Sequence, residues 1–346
     1  MVFADIGTSV YYVPGILYGE VGPLAPTFVI MTGVAFVFLA GKYAHIAARY
    51  REGGGVVAVA GDAFGPYVGA LGGMLITVDY FLTTAISSVS GLQYLDSVVP
   101  LGGWLLPGVI VALLALGVLN GIGIRESASV TAAAAVGALV VDLAVIAVVA
   151  VQLGAREWQA IADQLTAVRA LSLRQSMIGF AGAWLAFSGL ESISQLSPAM
   201  KSPRERTSRL AMLLVLLAVL LTSPILTAFA TGLERVDKAN ADHFISELGH
   251  VYGRLPLKLA VVVTASVLLL FAANTAIIGG YHVFRALARQ KFLPEVLARL
   301  SPRFGTPHIA IGLTVLVPVA VILATGGDLT RLGHLYAFGL LGAFTL

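Results

Sequence analysis

Residues 4–15 read ADIGTSVYYVPG, and residues 186–200 read AFSGLESISQLSPAM. Both lie inside apolar runs, and both hold what a smooth membrane helix lacks: Gly7, Pro14 and Gly15 in the first, Gly189 and Pro198 in the second. Proline removes a backbone donor and glycine weakens a helix, so each stretch predicts an interruption. Asp5 and Glu191 sit beside these interruptions. Two interrupted spans at corresponding places in two halves of a chain are the sequence pattern of an inverted-repeat transporter.

The rest of the chain names the solvent. Of 346 residues, 58% are hydrophobic and 11% charged, with a mean hydropathy of +0.92. Soluble domains carry roughly 25% charged residues, so this composition predicts a chain surrounded by lipid. It excludes an ordinary cytosolic enzyme, a nucleic-acid binder and a disordered protein. With no Cys there is no disulfide framework or thiolate metal site, and the six His show no ligand spacing. Arg51-Glu52-Gly53-Gly54-Gly55 lacks the Lys-Ser/Thr that a phosphate loop needs, so no cofactor is expected. The net charge of +3 reads as topology-setting loops rather than an anionic partner. The first ten residues lack the basic region of a cleavable leader. Both ends stop in apolar sequence, so the reading is of a domain truncated at both ends.

A helix needs about 20 apolar residues to cross a bilayer. Runs of that kind fall at 4–19, 24–48, 66–95, 104–120, 128–153, 176–199, 209–232, 256–284, 308–325 and 332–346. They are too long and too uniform for the alternating strands of a β-barrel. Thirteen of the 21 Lys and Arg fall in one set of alternate loops. The positive-inside rule then places those loops and the N-terminus in the cytoplasm of a cell-membrane protein. Segment 236–252 reads as a short outer helix with a solvated face. The expectation is an all-α polytopic membrane protein, one transmembrane domain over 1–346. Its first repeat covers about 1–155 and its second about 172–346.

Acidic side chains inside a span cost several kcal/mol and mark functional positions by default. Four lie in these runs: Asp5, Asp79, Asp142 and Glu191. Asp5 neighbours Gly7, Thr8 and Ser9, where an unwound backbone and two hydroxyls offer hard oxygens. Asp79 shares a helical face with Thr83 and Ser87 at four-residue spacing, and Tyr80 lies beside that face. Glu191 follows Ser188 and Gly189 and is placed to exchange a proton as solute enters. The bland readings are a helix cap for Asp5, hydroxyls bonded to their own helix for the second group, and a structural carboxylate for Glu191. Asp142 has no partner nearby in sequence and can pair with another helix. Tyr11, Tyr12 and Tyr336 read as gates, ligands or packing.

These pieces resemble the amino acid–polyamine–organocation (APC) superfamily along essentially the whole chain. The resemblance is carried by IGTSVYYVPG, by EGGGVVAVAGDAFGPYVGALGG at 52–73 and by NGIGIRESA at 120–128. It continues in AFSGLESISQLSPAMKSPRER at 186–206 and in residues 273–311. It implies a LeuT-type fold of five plus five helices, with a solute site at broken helices 1 and 6. Gly7-Thr8-Ser9 keeps only the first glycine of the G-[ST]-G turn typical of amino acid permeases.

The site pattern is similar to that of KimA-type potassium importers. That resemblance implies potassium coordination by Asp5, Tyr12, Asp79, Tyr80, Thr83, Ser87, Ser188 and Tyr336. It implies proton coupling by Glu191, while the backbone at the helix breaks, at Gly7, Thr8, Ser9 and Gly189, is read from the sequence itself as a further source of oxygens. The partners expected are a small solute (K⁺ or an amino acid), H⁺ and the lipid bilayer. No nucleic acid is expected, and a homodimer stays open as the assembly. The alternatives are an amino acid or polyamine permease and, from another class, a channel-like or sensory membrane protein. No nucleophile–base pair points to an enzyme.

Overall fold

The computed structural model describes residues 6–50, 55–123, 128–166, 171–189 and 203–344. Asp5 and Glu191 lie outside the described residues. Twelve α-helices account for most of the described residues. In chain order, α1 is Val13–Val21, α2 Ala25–Arg49, α3 Gly55–Phe64 and α4 Pro66–Asp96. Then come α5 Leu105–Gly121, α6 Ala128–Gln152, α7 Ala155–Thr166 and α8 Leu173–Ala183. The last four are α9 Arg204–Gly232, α10 Phe244–Arg289, α11 His308–Thr325 and α12 Leu329–Phe344. No strand occurs among the described residues.

Seven described stretches are long and apolar enough to cross a bilayer. The first, Val13–Ala47, joins α1 and α2, which the sequence reads as two runs. The expected sixth and tenth runs correspond to α8 and α12, of 11 and 16 residues, which fall short of a full span. Residues 190–202, beyond α8, lie outside the described set.

Local chemistry sets the helix ends. Ser172 caps α8 in a reciprocal box with Gln175, which satisfies donors that a helix start otherwise leaves bare. Gly65, at φ 100, turns the chain into the Pro66 that opens α4. The expected outer helix at 236–252 appears as a 3₁₀ turn, Lys238–His243, running into the start of α10. That part ends at a kink where Arg254 takes φ 57 and Pro256 follows. Proline cannot continue the hydrogen-bond ladder, so the long apolar part of α10 begins afresh after it.

The most extensive pairing is α10 against α4. α9 packs on α2, α6 on α10, α12 and α3 on α4, and α1 on α8. The main apolar core runs from Val10 and Leu17 through Phe36, Ile86, Phe187 and Phe229 to Leu332. Leu213, Leu217 and Leu221 on α9 and Val34 and Phe38 on α2 are exposed, as lipid-facing side chains are. At the centre of the bundle lie two short departures from α-helix. Gly7–Tyr11 is a 3₁₀ turn ahead of α1, and Trp184–Phe187 is a 3₁₀ turn following α8.

Candidate functional site

Both interruptions occur at their glycines, Gly7 and Gly189; Pro14 falls in the first turn of α1, and Pro198 lies outside the described residues. The first tightens the chain over Gly7–Tyr11 rather than unwinding it, and all five residues are buried. In the second, Ser188 turns extended at ψ 153 and Gly189 takes φ 96, a conformation open to glycine at no steric cost. The two meet directly: the Ser9 hydroxyl donates to the Ala186 carbonyl at 2.8 Å and also approaches the Ile6 carbonyl at 2.7 Å. A carbonyl freed where a helix breaks needs such a partner when it is buried.

Beside this junction three hydroxyls gather. Tyr336 Oη on α12 lies 2.6 Å from Thr83 Oγ1 on α4 and is also hydrogen-bonded to Ser188 Oγ at the second interruption. Thr83, Ser188 and Tyr336, which stand far apart in the chain, thus share one point, and each is at most 3% exposed. A hydroxyl both donates and accepts, so the three oxygens form one hydrogen-bonded chain with Tyr336 Oη in the middle.

Asp79 lies one helical turn before Thr83 and Ser87 one turn after it, both fully buried. Among the described residues, Ser87 Oγ has no hydrogen-bond partner. α12 comes close enough to this face that a Cβ on Gly339 would stand 3.7 Å from the Asp79 backbone nitrogen. α12 therefore brings Tyr336 to Thr83 and, about a turn further on, packs Gly339 against Val78 and Leu82 beside Asp79.

Other expected residues are placed differently. The Tyr80 ring presses on α10, where a Cβ on Gly279 would come within 2.6 Å of its Cζ. It packs there with Ala276 and Val283. Tyr12 follows the first 3₁₀ turn and is buried in the apolar core with Ile16 and Leu17. Its amide donates to the Ser9 carbonyl at 3.3 Å. Gly7 and Thr8 are buried inside the turn itself.

Asp142 does find its partner on another helix. The Tyr11 hydroxyl lies 3.2 and 3.4 Å from its two carboxyl oxygens. Tyr94 in turn donates to the Tyr11 carbonyl at 2.9 Å. Spacing along the chain carries no signal for this trio, because three separate helices supply it.

The amino acid permease family model matches the chain over residues 1–346. The chain belongs to the amino acid permease family. This is a family of transporters, and the chain's apolar helices make it a multi-pass membrane protein. Among this permease's relatives is the potassium transporter KimA of Bacillus subtilis, 30% identical over 92% of this chain and 53% of the relative. The vacuolar cationic amino acid transporter 4 of Arabidopsis thaliana is 26% identical over 98% of this chain and 59% of its own length. The branched-chain amino acid permease BcaP of Bacillus subtilis is 22% identical over 99% of this chain and 76% of its own. The chain thus spans little more than half the length of the first two relatives.

Proposed function

We propose that this permease is a secondary transporter that imports a monovalent cation, K⁺, in exchange for the energy of a proton gradient. The observation that carries this reading is the convergence of Thr83, Ser188 and Tyr336 beside the buried Asp79 face. Hard oxygens replace the hydration shell of an alkali cation, and a carboxylate offsets its charge where water is excluded. A 30% identity to a protein named as a potassium transporter supports it.

In this reading Asp79, Thr83, Ser87, Ser188 and Tyr336 hold the ion, with Asp5 and Tyr12 completing the site. Glu191 exchanges the coupled proton. The chain is one domain of two inverted repeats, about 1–155 and 172–346, with its N-terminus on the cytoplasmic side of the cell membrane. Movement of the halves about Ser9–Ala186 gives alternating access.

The test is growth of potassium-uptake-deficient cells at limiting K⁺, with uptake measured in the presence and absence of an uncoupler. Rescue that collapses with the uncoupler is the expected result. Rescue that survives it favours a channel-like protein. The second reading, an amino acid permease, is favoured by relatives named as amino acid transporters. Uptake of labelled lysine or leucine without K⁺ rescue selects it.

A further inference from the structure

We infer that Asp142 is a proton-responsive positioning residue that acts through Tyr11 on the interrupted first span. The inference rests on the transporter reading above but concerns a different carboxyl, on a different helix, from the proposed ion and proton sites.

Asp142 lies in the interior of α6 and is 3% exposed. A single hydroxyl, that of Tyr11, reaches both of its carboxyl oxygens, at 3.2 and 3.4 Å. Those separations exceed the 2.5–2.7 Å usual for a hydroxyl on a carboxylate, so the contact has room to tighten. Tyr11 is the last residue of the first 3₁₀ turn. Its backbone is held as well: the Tyr94 hydroxyl on α4 donates to its carbonyl at 2.9 Å, and the two rings meet edge-on with centroids 5.5 Å apart. The end of the turn is therefore fixed from two sides, by α6 through its side chain and by α4 through its carbonyl.

The proton on Asp142 decides what this tie can be. A carboxylate only accepts, so the Tyr11 hydroxyl must donate to it. A carboxylic acid can also donate, which frees the Tyr11 proton for another acceptor. Thr264 on α10 lies near the same hydroxyl; its own proton is donated to the Ala260 and Val261 carbonyls, which leaves its oxygen as an acceptor. The titratable groups nearby are Tyr11 itself, Tyr94 and, beyond Tyr94, Asp242 and His243, whose ring lies 6.4 Å from that of Tyr94. α6 packs on α9 and α10, and no charged side chain of either helix acts on Asp142 among the described residues. None of the ion pairs among those residues includes it.

The experiment compares Asp142→Asn, Tyr11→Phe, the double variant and Asp142→Glu for uptake across a range of external pH. The expected result is that each of the first two flattens the pH profile and raises the apparent KM by about threefold or more. The double variant should be no worse than the worse single, and Asp142→Glu should restore the pH dependence. Asp79→Asn serves as the control for the ion site. If Asp79→Asn transports normally the site reading fails, while the Asp142 comparison still stands. A second readout needs no substrate: infrared difference spectra of purified protein titrated with acid. A protonated-carboxyl band present in the parent, absent in Asp142→Asn and displaced in Tyr11→Phe supports the inference. A pH profile in Asp142→Asn that superimposes on the parent's overturns it. So does a set of titrating carboxyl bands that Asp142→Asn leaves unchanged.

Discussion

The hydroxyl of Ser9 donates to the carbonyl of Ala186 at 2.8 Å, across 177 positions of chain. One side chain therefore joins the two places where helical continuity fails. Removing it takes the side-chain donor away from the buried Ala186 carbonyl, at a cost of about 1–3 kcal/mol at most. Ser9→Ala should lower the thermal midpoint of the detergent-solubilised protein by several degrees, whereas Ser9→Thr should keep most of the stability. A Ser9→Ala midpoint equal to the parent's would show that the bond contributes nothing.

Asp79 is fully buried one turn from Thr83. Asp79→Asn keeps the shape of the side chain and removes its charge. Cation uptake should fall at least about tenfold while the protein elutes as the parent does in size-exclusion chromatography. Normal uptake by this variant would remove the electrostatic basis of the site.

Tyr336 Oη serves Thr83 and Ser188 together. Tyr336→Phe and Thr83→Val delete the same contact from opposite ends. In a double-variant cycle their effects on apparent KM should therefore couple by about 0.5–3 kcal/mol. Strictly additive effects would mean that the three oxygens do not act as a unit.

Tyr80 tests the opposite role. Its ring occupies the space above Gly279, so Gly279→Ala should cost about 1–3 kcal/mol of stability through overpacking. In a Tyr80→Leu background that penalty should shrink, with uptake affinity little changed. A large loss of affinity in Tyr80→Leu alone would return this ring to the ion site.

Much of this was legible along the chain because glycine, proline and four-residue spacing are local signals. Gly7 and Gly189 mark the interruptions, and Thr83 and Ser87 follow Asp79 at helical spacing. What spacing cannot reveal is the direction a residue takes at the edge of a face. Tyr80 is adjacent to Asp79 in sequence, about 100° around the helix, and that angle is enough to send its ring to α10. The partnership of Tyr11 with Asp142 is hidden for the same reason, since it depends on which helices lie side by side. The outcome at the first interruption also differs in kind from an unwound loop. Buried carbonyls must find donors, and a tight turn supplies more of them than an open one.

That turn has a further consequence. A 3₁₀ segment advances about 2.0 Å and 120° per residue, against about 1.5 Å and 100° in an α-helix. Over the five residues Gly7–Tyr11 the difference amounts to about 2.5 Å of added length and about 100° of rotation. Were those residues to relax into ordinary α-helix, everything on one side of them would screw inward relative to the other, like a bolt turned a quarter of the way home. The first span thus carries a built-in thread, and a change of winding alone could reorient the side chains on either side of it.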